Sequence, residues 1–285
     1  MGFMGQTNTS YKNMLVEEFT LSLKKKVLFI IIPVLIYFVS LNNKSAFSTQ
    51  VFNRAGDGNS KVYITGDIHG LLGIERVLKI NHLDEDDYLI ILGDFGLLWD
   101  GSLKETKALD KLNKKPFTTL IIDGNHENFD MLNALPMEQW NGGKVHKIKD
   151  KVLHLMRGEV FTINHKKYFT FGGGKSIDKD RRVDKISWWK EEMPSIEEMS
   201  NGLKNLEKCD YVVDYILTHT TDVDNLYTIG DALGFTPTED ELNTFLSEVK
   251  SKTSYNKWYF GHFHLDWKIN NKDRVVLEEI LEIGN

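Results

Sequence analysis

Apolar stretches of two kinds alternate along most of the chain. Short, continuous apolar runs, which are typical of strands buried on both faces, occupy Val62–Thr65, Tyr88–Leu92 and Thr118–Ile122. Between these runs, apolar residues recur at helical spacing over residues 71–80 and 103–112. This alternation of strand and helix predicts an α/β domain with a partly parallel sheet.

The middle of the chain changes to short apolar runs separated by turn residues. They predict two β-hairpins, one from residues 145–148 with 152–156 and one from 158–163 with 167–171. Thr238 and Glu241 have the spacing of a capping box and predict the start of a helix. The later elements are a helix at 195–206, a strand at 212–218, a helix at 238–249, a strand at 258–260 and a closing hairpin of 265–269 with 274–280.

Composition limits the classes of function without choosing among enzymes. The 285 residues carry a formal net charge of -6, so the basic excess that accompanies non-specific nucleic-acid binding is missing. Cys209 is the single cysteine, which rules out a disulfide within the chain. It is expected to be a small packing residue.

The N-terminal part differs from the rest. A polar segment at residues 1–26 ends in three lysines, and an uncharged apolar run follows at residues 27–41. The run is shorter than the ~20 residues that usually span a bilayer. It fits a short or tilted signal anchor, the apolar core of a cleaved signal peptide, or a buried core helix. The anchor is favoured because the preceding region is long and no clear cleavage site follows.

The lysines before the apolar run give the expected orientation. By the positive-inside rule the N-terminus stays in the cytosol and the following domain lies outside it, anchored to the membrane by residues 27–41. A secreted or a cytoplasmic protein remains the alternative. Residues 42–60 are rich in Asn, Ser, Thr and Gly and are expected to be a linker, so the folded domain is expected to span residues 61–285.

Metal-ligating side chains gather at five places where predicted strands end. Five of the nine histidines occur there. The ligand side chains are those of Asp67, His69, Asp94, Asn125, His126, His219, His262 and His264. In open α/β sheets, ligands bind beyond the carboxyl ends of the strands. Any one motif alone is ordinarily a turn, but the joint pattern predicts a shared site.

The residue types indicate two divalent metal ions. Asp67 and His69 are two positions apart, so on a regular strand they would share a face, and Gly70 would let the backbone turn close to a ligand. Carboxylate and imidazole ligands suit first-row metals, and a carboxylate such as Asp94 can bridge two of them. Two adjacent metals are typical of phosphoester hydrolysis. The remaining histidines, His82, His146, His154 and His165, are expected to be ordinary.

The order of the five motifs resembles that of the calcineurin-like metallophosphoesterase superfamily, over about residues 61–280. The resemblance implies an α/β fold, a four-layer α/β-β/α sandwich, with a binuclear centre of two divalent ions, manganese, iron or zinc. One ion would be held by Asp67, His69 and His264 and the other by Asn125, His219 and His262, with Asp94 bridging them.

The resemblance also implies a mechanism. A metal-bridging hydroxide would attack the phosphoester, with Asp94 and His126 as the catalytic residues and His126 as general acid. Leu97 and Leu98 replace the His-orienting Asp and the phosphate-binding Arg of the Ser/Thr protein phosphatases, which puts that activity in doubt. Asp123 and Glu127 are the neighbours that could orient His126.

Contacts with the substrate are less constrained by the sequence. Lys175, Arg181 and Arg182 follow three glycines and are expected either to meet phosphate or to form a solvated loop. Trp188 and Trp189 are expected to cover the core rather than to stack on a base. A nucleotide pyrophosphohydrolase, a catalytically silent protein-binding scaffold of the same fold, and a membrane-tethered structural module stay open as alternatives.

Overall fold

A computed structural model describes residues 60–284. The predictions for residues 1–26 and 27–41, and for the linker before residue 60, lie outside the described residues. Within residues 60–284, no helix is both long enough and apolar enough to cross a membrane.

The first of two sheets has seven strands, in the spatial order β13-β1-β2-β3-β6-β5-β4. Its strands are β1 (Val62–Thr65), β2 (Tyr88–Leu92), β3 (Thr118–Ile122), β4 (Met137–Trp140), β5 (Gly143–Lys149), β6 (Val152–Leu155) and β13 (Leu281–Ile283). Strands β1, β2, β3 and β6 are parallel, and antiparallel strands complete both edges.

The second sheet has six strands, in the order β11-β12-β10-β9-β8-β7. Its strands are β7 (Glu159–Ile163), β8 (Lys166–Phe171), β9 (Tyr215–Thr218), β10 (Lys257–Phe260), β11 (Trp267–Lys268) and β12 (Asp273–Val275). Strands β8, β9, β10 and β12 are parallel, with an antiparallel strand at each edge.

Helices lie on the outer faces of the two sheets. They are α1 (Ile74–Leu78), α2 (Leu103–Asn113), α4 (Ile196–Glu207), α5 (Val223–Leu233) and α6 (Glu241–Lys252). The short helix α3 (Phe129–Asn133) packs against Trp189 instead. One apolar cluster joins α1 and α2 to the first sheet. Another joins α4, α5 and α6 to the second sheet.

A third apolar cluster lies between the sheets and holds them face to face. Alternation along β2 shows why: Ile90 and Leu92 point into this cluster, whereas Leu89 and Ile91 pack against the outer helices. A strand buried on both faces must be apolar throughout, which explains the continuous runs in the sequence. The described residues therefore form a mixed α/β structure of two mixed sheets, consistent with the layered fold that the resemblance implies.

The bounds of β1, β2 and β3 agree with the prediction, whereas other elements differ. Both predicted hairpins form, but β5–β6 joins the first sheet and β7–β8 the second. Residues 71–80 are divided between a short 3₁₀ turn and α1. The closing hairpin is shorter than predicted, because only β11 and β12 pair in it, and β13, which was not predicted, pairs with β1. Helix α5 was not predicted.

The predicted capping box at Thr238 and Glu241 was wrong. Helix α6 begins at Glu241, and Asp240 is its N-cap. The Asp240 carboxylate accepts hydrogen bonds from the N–H groups of Leu242 and Asn243 at 2.9 and 3.0 Å, and the Asn243 side chain accepts the Asp240 N–H at 3.1 Å. Asp and Asn therefore fill the two roles that were assigned to Thr and Glu.

Candidate metal centre

The predicted ligands follow strands of both sheets. Asp67, Asp94 and Asn125 come after the parallel strands β1, β2 and β3, and His219 and His262 come after the parallel strands β9 and β10. Because the carboxyl ends of parallel strands lie at the same edge, both sheets deliver side chains to one place.

Four of these side chains form a compact group. One potential ligand atom from each of Asp67, His69, Asp94 and His264 lies within 4.8 Å of the others. Nε2 of His264 is 3.0 Å from Nε2 of His69 and 3.2 Å from Oδ2 of Asp67. Nε2 of His69 is 3.8 Å from Oδ2 of Asp94.

This first group has the features of an ion site. Oδ2 of Asp67 is buried and has no partner with hydrogen-bond geometry, although the His264 ring nitrogen is close. Burial would raise the pKa of Asp67, but His264 and the nearby His219 outweigh it and lower the pKa to about 2. A buried, ionised oxygen facing two imidazole nitrogens fits a divalent cation.

The backbone around the site adopts a conformation that L residues rarely take. His69, Asp94, His262 and His264 have φ values of 51°, 48°, 69° and 53°, all in the left-handed region. Such strain persists only where the surroundings hold it, and it is concentrated at functional sites. The prediction that Asp67 and His69 share a strand face was wrong, because β1 ends at Thr65 and a turn brings them together.

The loop after β1 and the loop after β2 hold each other in this strained form. The N–H groups of Ile68 and His69 both donate to the Asp94 carbonyl, at 3.1 and 2.7 Å. A Cβ on Gly70 would lie 2.4 Å from the carbonyl oxygen of Gly96. Gly70 therefore permits close approach of the second loop, rather than of a ligand as the sequence suggested.

A second group of predicted ligands lies on the other side of Asp94. Nε2 of His219 is 3.0 Å from Oδ1 of Asn125 and 3.4 Å from Oδ1 of Asp94. Nδ1 of His219 is 2.8 Å from the Leu92 carbonyl. Since only a protonated Nδ1 can bond that carbonyl, we assign the proton to Nδ1, which leaves the Nε2 lone pair for a metal.

His262 completes the second group. Its ring meets the His219 ring edge-on, with 4.9 Å between centroids. Burial, reinforced by the neighbouring His219, lowers the pKa of His262 to about 4. The ring is therefore neutral at physiological pH, as a metal ligand must be.

The Asn125 amide is fixed by two residues that the sequence analysis did not identify. Its Nδ2 donates to Oγ of Ser176 at 3.1 Å, and that hydroxyl donates to Oε2 of Glu192 at 2.6 Å. Because the amide nitrogen is engaged in this way, Oδ1 is the atom that faces His219. Ser176 follows the three glycines, but no motif links it to the distant Glu192.

Asp94 is the residue that both groups share. Its Oδ2 faces His69, whereas its Oδ1 faces His219 and also accepts the backbone N–H of His126 at 2.8 Å. The carboxylate is 1% exposed. A carboxylate placed in this way presents one oxygen to each group.

Neither neighbour proposed from the sequence contacts the His126 ring. Glu127 accepts the N–H groups of Phe95 and Gly96 at 2.7 and 3.1 Å, and burial together with Asp94 raises its pKa to about 8. Asp123 bonds His154 and Arg157 instead. Both carboxylates support the loops that carry the site.

Arg182 is the residue that meets the His126 ring. Its two terminal nitrogens lie 3.0 and 3.1 Å from Nδ1 and Nε2 of His126, and its Nε donates to Asp178 at 2.7 Å. Burial lowers the pKa of His126, and Arg182 adds to this effect while Asp94 opposes it. Lys175 and Arg181 are exposed, and the hydrogen bonds of the described residues link neither side chain to the site.

Trp188 and Trp189 differ in burial. Trp189 is buried with Phe129 and Leu132, as expected of a core residue. Trp188 is only partly buried, and the Lys179 ammonium lies 4.2 Å from its ring centroid.

The chain is similar to known proteins at the level of family. The model of the calcineurin-like phosphoesterase family matches residues 60–266. Among solved structures, the chain is similar to a phosphopantetheinyl hydrolase from Mycobacterium tuberculosis, with 14% identity and a TM-score of 0.43, over 76% of this chain and 88% of that chain. No curated protein sequence matches the chain.

The support of Asn125 by Ser176 leads to a testable prediction. In Ser176→Ala the amide loses its anchor, and loss of such outer support typically weakens metal binding by about 10–100-fold. Calorimetric titration of the metal-stripped protein with Mn²⁺ should show this loss for one of two binding events. Ser251→Ala, at an exposed helical serine, is the control. If both Mn²⁺ affinities are unchanged in Ser176→Ala, the assignment of Asn125 as a metal ligand supported by Ser176 is contradicted.

Proposed function

Because the chain belongs to the calcineurin-like phosphoesterase family, we propose that it hydrolyses phosphoesters with two divalent metal ions. The observation that carries this proposal is the position of Asp94, whose two carboxylate oxygens face the two groups of ligands. Asp67, His69 and His264 would hold one ion, and Asn125, His219 and His262 would hold the other. Asp94 would contribute one carboxylate oxygen to each set.

The donor set suits manganese, iron or zinc, since it mixes imidazole nitrogen with carboxylate and amide oxygen. Bound ions would lower the pKa of water and neutralise charge on the phosphoryl group. Three of the ligands already have the protonation state that metal binding requires. His262 is neutral, Asp67 is ionised, and the His219 tautomer leaves Nε2 available.

His126 and Arg182 act on the substrate in this proposal. Arg182 supplies guanidinium donors to the phosphoryl oxygens, in place of the arginine that Leu98 replaces. His126 gives its proton to the leaving oxygen as the bond from that oxygen to phosphorus breaks. Because the pKa of His126 is lowered, its protonated form is populated only at acid pH, so acid assistance declines as the pH rises.

The alternatives differ in what they require of this site. A nucleotide pyrophosphohydrolase would use the same ligands, so only substrate preference separates it from a mono- or diesterase. A silent scaffold has no need of a complete ligand set, and the strained backbone at four ligands argues against it. The apolar residues 27–41 are proposed as a membrane anchor that takes no part in hydrolysis.

Metal-dependent hydrolysis tests the proposal directly. The metal-stripped full chain should gain activity when Mn²⁺ is added. The substrates are p-nitrophenyl phosphate, bis-p-nitrophenyl phosphate and ADP-ribose, which represent phosphomonoesters, phosphodiesters and pyrophosphates. Asp94→Asn should lose at least about 10²-fold in kcat/KM, because the bridging charge is gone. Asp86→Asn, at an exposed aspartate, should retain activity. Bound Mn²⁺ without turnover of any substrate would contradict the proposal.

The role of His126 is tested by varying the leaving group. Phenolate needs a proton more than p-nitrophenolate does, and general acids contribute about 10²–10⁴-fold. His126→Ala should therefore lower kcat/KM about 10²-fold more on phenyl phosphate than on p-nitrophenyl phosphate, with unchanged metal content. His82→Ala, at an exposed histidine, is the control. An equal loss on both substrates would exclude His126 as general acid.

A further inference from the structure

The chain crosses from the second sheet to the first beside the candidate metal centre. The crossing is made by residues 276–280, the crossover segment, which runs from the end of β12 to the start of β13. Val276 donates its N–H to the carbonyl of Phe260, the last residue of β10, at 2.8 Å. Leu277 accepts the N–H of Gly66, the first residue after β1, at 3.1 Å. The segment therefore contacts the ends of both strands that precede ligands of the first group.

The contact with Gly66 leaves no room for a side chain. A Cβ on Gly66 would overlap the Val276 carbonyl oxygen and would lie 2.7 Å from Cα of Leu277. Glycine thus lets the crossover segment pack directly against the backbone that precedes Asp67. The position of Asp67 is therefore tied to the position of this segment.

Arg76, on α1, joins the crossover segment to the loop that carries Asp67. One terminal nitrogen of Arg76 donates to the Leu277 carbonyl. The other donates to the Asp67 carbonyl at 2.8 Å and lies 3.4 Å from the Gly66 carbonyl. Because the guanidinium is planar and presents its donors in a fixed fork, it holds these carbonyls in one relative position. Arg76 bonds the backbone of Asp67 and leaves the carboxylate to face His264.

Asp266 joins the same segment to the loop that carries His264. Its carboxylate accepts the N–H groups of Leu277 and Glu278 at 2.8 and 3.0 Å. Asp266 stands two residues after His264 in the loop that follows β10. Leu277 is thus held by its N–H from one loop and by its carbonyl from the other. Arg76, Leu277 and Asp266 form a continuous link between the two loops.

The first group needs such a link because its ligands come from different sheets. Nε2 of His264 is 3.2 Å from Oδ2 of Asp67, although one residue follows β10 and the other follows β1. The His264 side chain is 57% exposed, so packing around the ring does little to fix it. His219 in the second group is fully buried. The His262 N–H also reaches Oδ1 of Asp67, at 3.1 Å, but it orients the Asp67 carboxylate rather than the His264 ring.

From these contacts we propose that Arg76 and Asp266 are positioning residues for the metal ion of the first group. They act through Leu277, by fixing the separation of Asp67 and His264, and neither is itself a ligand. The inference rests on the proposed function, because it requires an ion at the first group. The ligands of the second group are held by other contacts, so the affinity of their ion does not depend on this link.

Calorimetric titration of the metal-stripped full chain with Mn²⁺ tests this role. Arg76→Met keeps an apolar stem but removes the donors, and it should weaken one of two binding events about 10–100-fold. Asp266→Ala, at an exposed residue, breaks the other end of the link and should weaken the same event. Loss of a nearby positive charge would by itself favour a cation, so weaker binding in Arg76→Met cannot arise from charge alone. Lys107→Met, at an exposed lysine of α2, should bind Mn²⁺ like the wild type.

A double variant shows which ion is affected. Ser176→Ala acts on Asn125 in the second group, so Arg76→Met combined with Ser176→Ala should weaken both binding events. Arg76→Met alone should leave one event at the wild-type affinity, which a general loss of structure would not do. The inference is overturned if Arg76→Met weakens both events or neither, or if the double variant retains one wild-type affinity. A wild-type chain that binds no Mn²⁺ would contradict the proposed function and this inference with it.

Discussion

Burying an ionised carboxylate costs several kcal/mol unless cations or hydrogen-bond donors compensate, and the loops that follow β1, β2 and β3 bury the carboxyl groups of Asp67, Asp94, Asp123 and Glu127. Two are compensated within the protein. Asp123 is paired with Arg157 and His154. Glu127 accepts two backbone N–H groups, and burial raises its pKa to about 8, so the group is mostly uncharged at neutral pH. Asp67 and Asp94 instead face histidine nitrogens, an arrangement that bound cations would complete.

The supporting carboxylates and the ligands form one connected structure. Glu127 holds the loop after β2, and that loop in turn holds the loop after β1 through the Asp94 carbonyl. The left-handed residues are stable only because these contacts fix them. Core packing of the two sheets therefore supplies the rigidity that places Asp94 between two ligand groups.

How much the sequence predicts depends on whether the signal is local. The strands β1, β2 and β3 are correct because burial on both faces requires continuous apolar runs, and the motif residues are recognisable from their order. Contacts between distant loops leave no local pattern. Arg182 on His126, Ser176 on Asn125 and the opposition of His146 and His154 depend on the path of the chain or on strand register, so they appear only in the folded structure.

The central claim is that Asp94 lies between two metal ions. Anomalous diffraction from crystals grown with Mn²⁺ measures this without depending on any substrate. Two anomalous peaks about 3.5–4 Å apart, one beside His69 and His264 and one beside His219 and His262, with Asp94 in contact with both, are the predicted result. A single peak, or none at these residues, would contradict the account.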